Sequence, residues 1–393
     1  MKTVPPGWQP QADPEALIKE ARRRQRRRRI AIGLAIVLLA AAAGITVGLT
    51  GPGGRASGDR GPRRPPALRV PSSGAFAQAA LPAFFADAVT TGEGNGSLEV
   101  RASASGAMVA QEGNMAGVSA LAATGTHSFV IALQVGDGCA TRLYRVGLSD
   151  RGRPGGLSPV GPELPGWVWS LAASTGGGVI GYAVSGCAKG DPGYFGVFDT
   201  RTQRARQWGD VNVGGESPGN VALSGALSMS GDGGLLAFTS WNAASSGFNT
   251  SQFVRVLPTD APAGTVAERS QVVLSRTISQ PQLGAVSLSP SGASFYLCTQ
   301  AGHVTNVAGY RTSTGELQQD VASLRGASAQ ASCSMALDAS GQFLLVPYSL
   351  VPASRPMLRM AEIDIATRAV TNLTIQLSQG GGMDPATGMI AAW

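Results

Sequence analysis

The segment Leu227–Ser240, LSMSGDGGLLAFTS, decides the fold. An apolar run reaches a Ser-x-Asp-Gly turn and reverses into a second apolar run, the pattern of two antiparallel strands joined by a glycine-bearing hairpin. The pattern returns in Val286–Thr299 (VSLSPSGASFYLCT) and in Met335–Tyr348 (MALDASGQFLLVPY). Two earlier copies are Val118–Gly125 with His127–Leu133, and Val168–Ser174 with Val179–Val184. A third strand follows each copy after a variable loop: Arg142–Val146, Tyr194–Asp199, Phe253–Leu257, a strand opening at Val307, and Met360–Asp364.

The turn glycines Gly125, Gly177, Gly233, Gly292 and Gly341 stand 52, 56, 59 and 49 residues apart. A β unit of about this period reads as a propeller blade, which cannot bury both of its faces alone and stacks on its neighbours. The two ends of the region complete the ring. Met383–Trp393 reads as the first two strands of a further blade, and Ala83–Val89 with Leu98–Ala110 as its two outer strands. Joining them leaves no open edge. The expectation is an all-β, six-bladed propeller, with seven blades as the alternative.

Ahead of the repeats, Arg22–Arg29 holds seven arginines in eight positions and runs into Ile30–Leu49, twenty uncharged and mostly apolar residues. About 20 residues of helix cross a bilayer core of roughly 30 Å, and an arginine-rich flank stays in the cytoplasm. The expected organisation is a basic cytoplasmic arm (1–29), a transmembrane helix (30–49), a Gly/Pro linker (50–74) and an extracytoplasmic propeller (75–393). A cleaved signal peptide is the competing reading, with Ala40–Ala43 offering small residues for cleavage. Against it, the apolar stretch exceeds the usual core of about 7–15 residues.

Charge separates the same two parts. Up to Arg69 the chain has 14 Lys+Arg against 4 Asp+Glu, and from Val70 onward 17 against 20. The basic excess sits beside the membrane, where it attracts anionic headgroups. The larger part is mildly acidic, which argues against nucleic acid as a partner.

The four cysteines, Cys139, Cys187, Cys298 and Cys333, all follow the span. An even count in an oxidising compartment suggests disulfides. Cys139 and Cys187 follow the second strands of adjacent units. Cys298 ends the second strand of the fourth unit and Cys333 begins the first strand of the fifth. The expected pairs are therefore Cys139–Cys187 and Cys298–Cys333, with buried free thiols as the other reading. CxxC spacing is missing, which argues against a metal site.

Catalytic signatures are few. His127 and His303 are the only histidines, and a Ser-His-Asp triad needs one within reach of its nucleophile. Gly215-Glu-Ser217-Pro-Gly219 matches G-x-S-x-G, but it sits in a Gly/Pro loop rather than between a strand and a helix. No calcium loop and no phosphate-cradling glycine motif is present. Asp199 and Asp364 fall at matching blade positions, where they are expected to hold turns. Trp167, Trp169, Trp208 and Trp241 either line a binding rim or fill space between blades. No catalytic, cofactor-binding or metal-binding residue is assigned, and no cofactor is expected.

Three motifs carry a resemblance: Ser230-Gly-Asp-Gly233 followed by Leu236-Ala-Phe238, Phe198-Asp-Thr-Arg-Thr-Gln203, and Ser313-Thr-Gly-Glu-Leu317. They resemble the WD40-like propeller domains of actinobacterial membrane-anchored proteins, a group of largely unknown function. The resemblance covers about residues 75–393, and the arginine run, span and linker match that architecture too. It departs from true WD40 blades, since the Trp-Asp dipeptide is missing and Gly-His occurs once, at Gly302-His303. The expected function is a tethered, non-catalytic binding module, not an enzyme, for a protein, peptide or envelope polymer. The alternative is a hydrolase or lactonase-like propeller using channel carboxylates, and a third possibility is a sensor that relays a state to the cytoplasmic arm.

Overall fold

The hairpin at Leu227–Ser240 and its four copies fold as the inner strand pairs of five blades. The computed structural model describes residues 80–90, 95–136, 139–187, 191, 193–212, 221–223, 226–242, 251–277, 282–325, 335–350, 357–374 and 389–392. The expected cytoplasmic arm, membrane span and linker lie outside the described residues. Among the described residues no helix is long and apolar enough to cross a membrane.

The chain first lays down β1 (Phe84–Thr90), β2 (Asn95–Ala102) and β3 (Met108–Ala116). Blade one follows as β4 (Val118–Gly125), β5 (Ser128–Gln134), β6 (Ala140–Gly147) and β7 (Ser158–Pro165). Blade two is β8 (Trp167–Ala173), β9 (Val179–Ser185), β10 (Gly193–Asp199) and β11 (Arg204–Asn212). Blade three has a split inner strand, β12 (Val221–Leu223) with β13 (Ser228–Met229), then β14 (Leu235–Asn242) and β15 (Ser251–Pro258). The short β16 (Gly264–Thr265) and helix α1 (Val266–Arg269) precede its outer strand β17 (Gln271–Thr277). Blade four is β18 (Gln282–Leu288), β19 (Ser294–Ala301), β20 (Val304–Arg311) and β21 (Leu317–Arg325). Blade five is β22 (Ala336–Leu337), β23 (Phe343–Leu350), β24 (Met357–Asp364) and β25 (Val370–Thr374), and β26 (Met389–Ala392) ends the described chain.

A sixth sheet, ordered β26-β1-β2-β3, closes the ring by pairing the tail with the first strands, Ala88 opposite Ile390 and Asp87 opposite Ala391. The described tail and the Leu98–Val109 stretch thus share one sheet, as expected. The division of labour differs: the early segment supplies three strands, not two. Gly106 turns at φ +70°, with its N–H donating to the Ala102 carbonyl at 2.8 Å. That turn breaks Leu98–Ala110 into parts of two strands. A second difference is a fourth, outermost strand in every blade, namely β7, β11, β17, β21 and β25 in blades one to five.

Apolar residues alternate inside each second strand, but both sets are buried. On β5, Phe129 and Ile131 join an apolar cluster with the closing blade, while Val130 and Ala132 join one with blade two. Around the ring, among the described residues, six such clusters lie one at each seam between consecutive blades. The seam between blades two and three is reinforced. β11 and β12 pair in parallel, fusing the two blades into one ten-stranded sheet. β16 also pairs along β11, and the fully buried Trp208 donates its indole N–H to the Pro262 carbonyl at 3.1 Å.

The recurrent turn glycines have two jobs. At Gly233 φ is +76°, which favours glycine, and an added Cβ would lie 2.8 Å from Val179 in the preceding blade. At Gly341, φ is +75° and the Cβ would lie 2.6 Å from Pro290, again one blade back. Backbone bonds link neighbouring turns as well: Thr175 N–H donates to Gly231 O at 2.9 Å, and Gly231 N–H to Pro290 O at 2.8 Å. The turns form a belt, and a side chain at the glycine would push two blades apart.

The expected Cys139–Cys187 disulfide is present, with its Cα atoms 5.5 Å apart, and it joins the β5–β6 and β9–β10 connections of blades one and two. Cys298 is fully buried and disulfide-bonded; Cys333, its expected partner, lies outside the described residues.

Two outcomes test this account. Gly233→Ala is expected to lower unfolding stability by about 1–3 kcal/mol, read by urea denaturation. Gly125→Ala, where φ is not positive and nothing lies within 4 Å of an added Cβ, is expected to change it by less than about 0.5 kcal/mol. Replacing Cys139 and Cys187 together by Ser opens a cross-link of sequence separation 48. The chain-entropy model then gives a loss of about 4 kcal/mol, matched by a lower thermal midpoint under non-reducing conditions.

Candidate functional site

The inner strands β4, β8, β13, β18 and β22 each stand at the inner end of a blade and pair on one side within it. Each therefore turns toward the ring axis an edge that its own sheet does not pair, and side chains of the neighbouring blade take some of its backbone groups, Leu288 N among them. Among them opens a cavity of about 200 Å³, walled by these strands and the turns that follow them. Side chains on its wall are small or apolar: Ala122, Thr124, Ser170, Met229, Leu288 and Ala336 are representative. Trp169 adds one large aromatic surface.

The wall's serines are engaged in holding blades together. Ser170 Oγ accepts from Leu227 N at 2.8 Å, and Ser228 Oγ accepts from Leu288 N at 2.8 Å. Ser287 Oγ donates to the Met335 carbonyl at 3.4 Å. Each of these bonds runs from one blade to the next, so a hydroxyl at this position stitches the inner edge of the ring.

Among the described wall residues the single carboxylate is Asp338, and its own turn occupies it. Oδ1 accepts from Gln342 N and Phe343 N, both at 2.8 Å, and Oδ2 accepts from Ser340 N at 3.0 Å and from the Ser340 hydroxyl. Asp232 does the same in the corresponding turn of blade three, accepting from the Ser230 hydroxyl at 2.6 Å and Gly234 N at 2.8 Å. The Ser230 bond, ahead of the Gly234 bond, holds its carboxyl below the ordinary range. The expectation that channel carboxylates are available for acid–base work is therefore not met among the described residues.

The remaining candidates are dispersed. His127 lies in the β4–β5 turn, with Nδ1 3.1 Å from Thr126 Oγ1 and its ring edge-on to Phe84. His303 lies in the β19–β20 turn, at the other end of a different blade. Ser217 lies outside the described residues. Asp199 and Asp364 hold turns as expected: Asp199 Oδ1 accepts from Arg201 N and Thr202 N, both at 2.9 Å, and Asp364 Oδ1 from Ala366 N and Thr367 N at 2.9 and 3.0 Å. The tryptophans divide. Trp208 fills the seam between blades two and three, Trp169 both packs on that seam's cluster and lines the cavity, and Trp167 is 52% exposed beside the Cys139–Cys187 connection.

One cluster was not read from the sequence. Asp87 on β1 lies directly across from Glu99 on β2, and Arg101 two residues on serves both. Arg101 Nε donates to Asp87 Oδ2 at 3.0 Å, Nη2 donates to Glu99, and Nη1 donates to the Gly106 carbonyl at 3.2 Å. All three side chains are buried, and Asp87 Oδ1 has no partner. Burial is the main force pushing the Asp87 carboxyl up to about 7; the charge of Arg101 opposes it and that of Glu99 adds to it. In the sequence, Glu99-Val-Arg101 reads as the solvent face of an ordinary amphipathic strand, a reading that overlooks a blade's second covered face.

No family model matches the chain, and neither does any curated protein. Solved structures of similar shape exist. The periplasmic gluconolactonase of Pseudomonas aeruginosa is 13% identical at a TM-score of 0.43, covering 78% of this chain and 99% of that one. A putative 6-phosphogluconolactonase of Bacteroides uniformis is 12% identical at 0.38, covering 74% and 82%. An oligogalacturonate lyase solved with manganese is 12% identical at 0.38, covering 64% of each chain. At these identities the likeness concerns fold alone. The expectation that this protein is not an enzyme nevertheless does not stand. It was drawn from a missing triad, which excludes one mechanism and leaves others open.

The engaged serines give a sharp expectation. Ser170→Ala leaves the Leu227 N–H buried without its acceptor, which costs about 1–3 kcal/mol in urea unfolding. Unchanged stability would return Ser170 to the list of hydroxyls free for chemistry.

Proposed function

We propose that this protein acts at its channel mouth on a compact, uncharged, hydroxyl-bearing ligand. The observation that carries the reading is the chemistry of the wall: backbone edges left open by their own sheets, small side chains, one aromatic surface and, among the described residues, a single, already occupied carboxylate. Such a wall offers many neutral donors and acceptors and no charge to select an ion. The volume of about 200 Å³ lies below the roughly 300–1,000 Å³ of sites for drug-sized molecules. Trp169 gives an apolar face for the ligand's C–H surface. A sugar, a sugar lactone, or the end of an envelope polymer bearing such groups fits this description.

Hydrolysis, as in a lactonase-like propeller, is the second reading. Rows of backbone N–H groups are the kind of donor that stabilises charge developing on a carbonyl oxygen, and a neutral lactone is a ligand of the right class. The arginine run and the apolar stretch Ile30–Leu49 support a single-span tether that holds the propeller outside the cytoplasmic membrane. They also support placement among the actinobacterial membrane-anchored WD40-like propellers.

The test uses the full chain with glucono-δ-lactone and its open-chain sugar acid, read by calorimetry and by lactone disappearance. Ala226→Trp fills the mouth from an exposed position on the wall. Saturable lactone binding that Ala226→Trp weakens at least tenfold, with the thermal midpoint kept, supports the site, and turnover lost in the same variant supports hydrolysis. Binding or turnover indifferent to Ala226→Trp would remove the channel as the site.

A further inference from the structure

Apolar and basic side chains stand exposed together at one end of the ring. Met108 and Val109 open β3, 42% and 39% exposed, and Leu157 directly precedes β7 at 38%. All three follow the turn between a blade's third and fourth strands. The blade-one turn that ends in Leu157 also carries Arg151 and Arg153, and the matching turn of blade two carries Arg201 and Arg204, all four exposed. The acids of these two turns are Asp150 and Asp199, and the β2–β3 turn ahead of Met108 is uncharged.

Packing makes these turns one surface. A Cβ on Gly152 would lie 2.8 Å from the Phe84 ring, and one on Gly161 would lie 2.9 Å from the Phe198 ring. The turn that bears Leu157 is therefore held between the start of β1 and the end of β10. Ser103 N donates to the Ala83 carbonyl at 3.0 Å, which ties the β2–β3 turn to the same place. Since β1 is the first described strand, the surface is centred where the described chain enters the ring.

We infer that this sector, from the closing blade to blade two, docks on a bilayer surface that bears anionic headgroups. The inference rests on the single-span tether proposed above. Thirty residues, 50–79, separate the apolar stretch from the described ring, and on that reading the tether arrives at the centre of this sector. A tether raises the local concentration of the lipid surface, so a small patch suffices. Guanidinium groups pair with phosphate, and apolar side chains beside them enter the boundary between headgroups and acyl chains. The remaining blades do not share this chemistry. Val272, Leu317 and Val370 are exposed at the same strand position, but Asp260, Glu268, Glu316 and Asp364 accompany them. Contact is thus confined to one sector, and the ring leans on it. The turns that wall the cavity at Thr175, Gly231 and Asp338 belong to the same end, so the lean holds the channel mouth beside the headgroups, where a hydroxyl-bearing envelope ligand is met.

Hydrogen exchange of the full chain in lipid nanodiscs tests the docking, with phosphatidylcholine alone compared with discs containing phosphatidylglycerol. Residues 103–109, 149–157 and 200–206 are expected to exchange more slowly on the anionic discs and to lose that protection in high salt. Residues 301–304, at the opposite end of blade four, stay level. One arginine near an anionic bilayer is worth roughly fivefold in affinity, so Arg151→Glu with Arg201→Glu is expected to abolish the protection while keeping the thermal midpoint. Leu157→Ser weakens it. Equal rates on the two kinds of disc would overturn the inference, as would protection that the arginine pair leaves untouched. Protection that appears without lipid and grows with protein concentration marks a second copy as the partner and overturns it too. Retention in membranes through an alkaline carbonate wash reads the tether by itself, so a failed tether is distinguishable from a failed docking surface.

Discussion

Each blade of this ring is apolar on both faces, and neither face can be hidden within the blade itself. A four-stranded sheet standing free would leave Phe129 and Ile131 on one side, and Val130 and Ala132 on the other, in water. Burial of apolar area contributes roughly 25 cal/mol per Å², so stacking is the term that makes the blades fold. It also fixes their number as a property of closure: a sheet with one bare face remains until the last seam forms. The disulfide between blades one and two, the fused sheet of blades two and three, and the belt of turns act on seams that apolar packing has already defined.

Closure places an unusual demand on the ends of the chain. Covalent continuity brings blades one to five into order, but the last seam depends on β26 finding β1 across nearly the whole sequence. In a chain with long-range pairing of this kind, the entropy of bringing the ends together is met late. The closing seam is also the one with buried charge in its face. A buried ion cluster is weak evidence for stability and better evidence for specificity or switching.

The inner strand pairs were legible because glycine turns and doubly buried runs are local signals; Gly233 and Gly341 mark their turns in the sequence and in space. The outer strands were not. β7 reads SPVGPELP and is mostly exposed, so neither alternation nor hydrophobicity marks it, and its pairing with β6 alone makes it a strand. The closing blade was legible as a junction but miscounted, because Leu98–Ala110 is continuous in character and one positive-φ glycine divides it. The charged seam was hidden for a different reason. A strand with charges on one face normally shows that face to water, and only the arrival of a neighbouring blade turns Glu99 and Arg101 inward.

The same logic separates what the channel can do from what its residue types suggest. Serines at an inner strand look like nucleophiles until their partners are counted. Ser170, Ser228 and Ser287 each face the next blade, and their hydroxyls satisfy or use backbone groups that would otherwise be buried unpaired. Asp338 and Asp232 look like acids and bases until the amides around them are counted. Removing those groups from the list leaves the backbone edges themselves as the polar equipment of the cavity. Backbone donors and acceptors cannot be exchanged by substitution, so specificity must come from the side chains that narrow the opening. Trp169 is the largest of these on the wall. On the proposed reading of the cavity, a difference in ligand between this ring and another of the same architecture is to be sought at that position and at the rim above it, not among the hydroxyls.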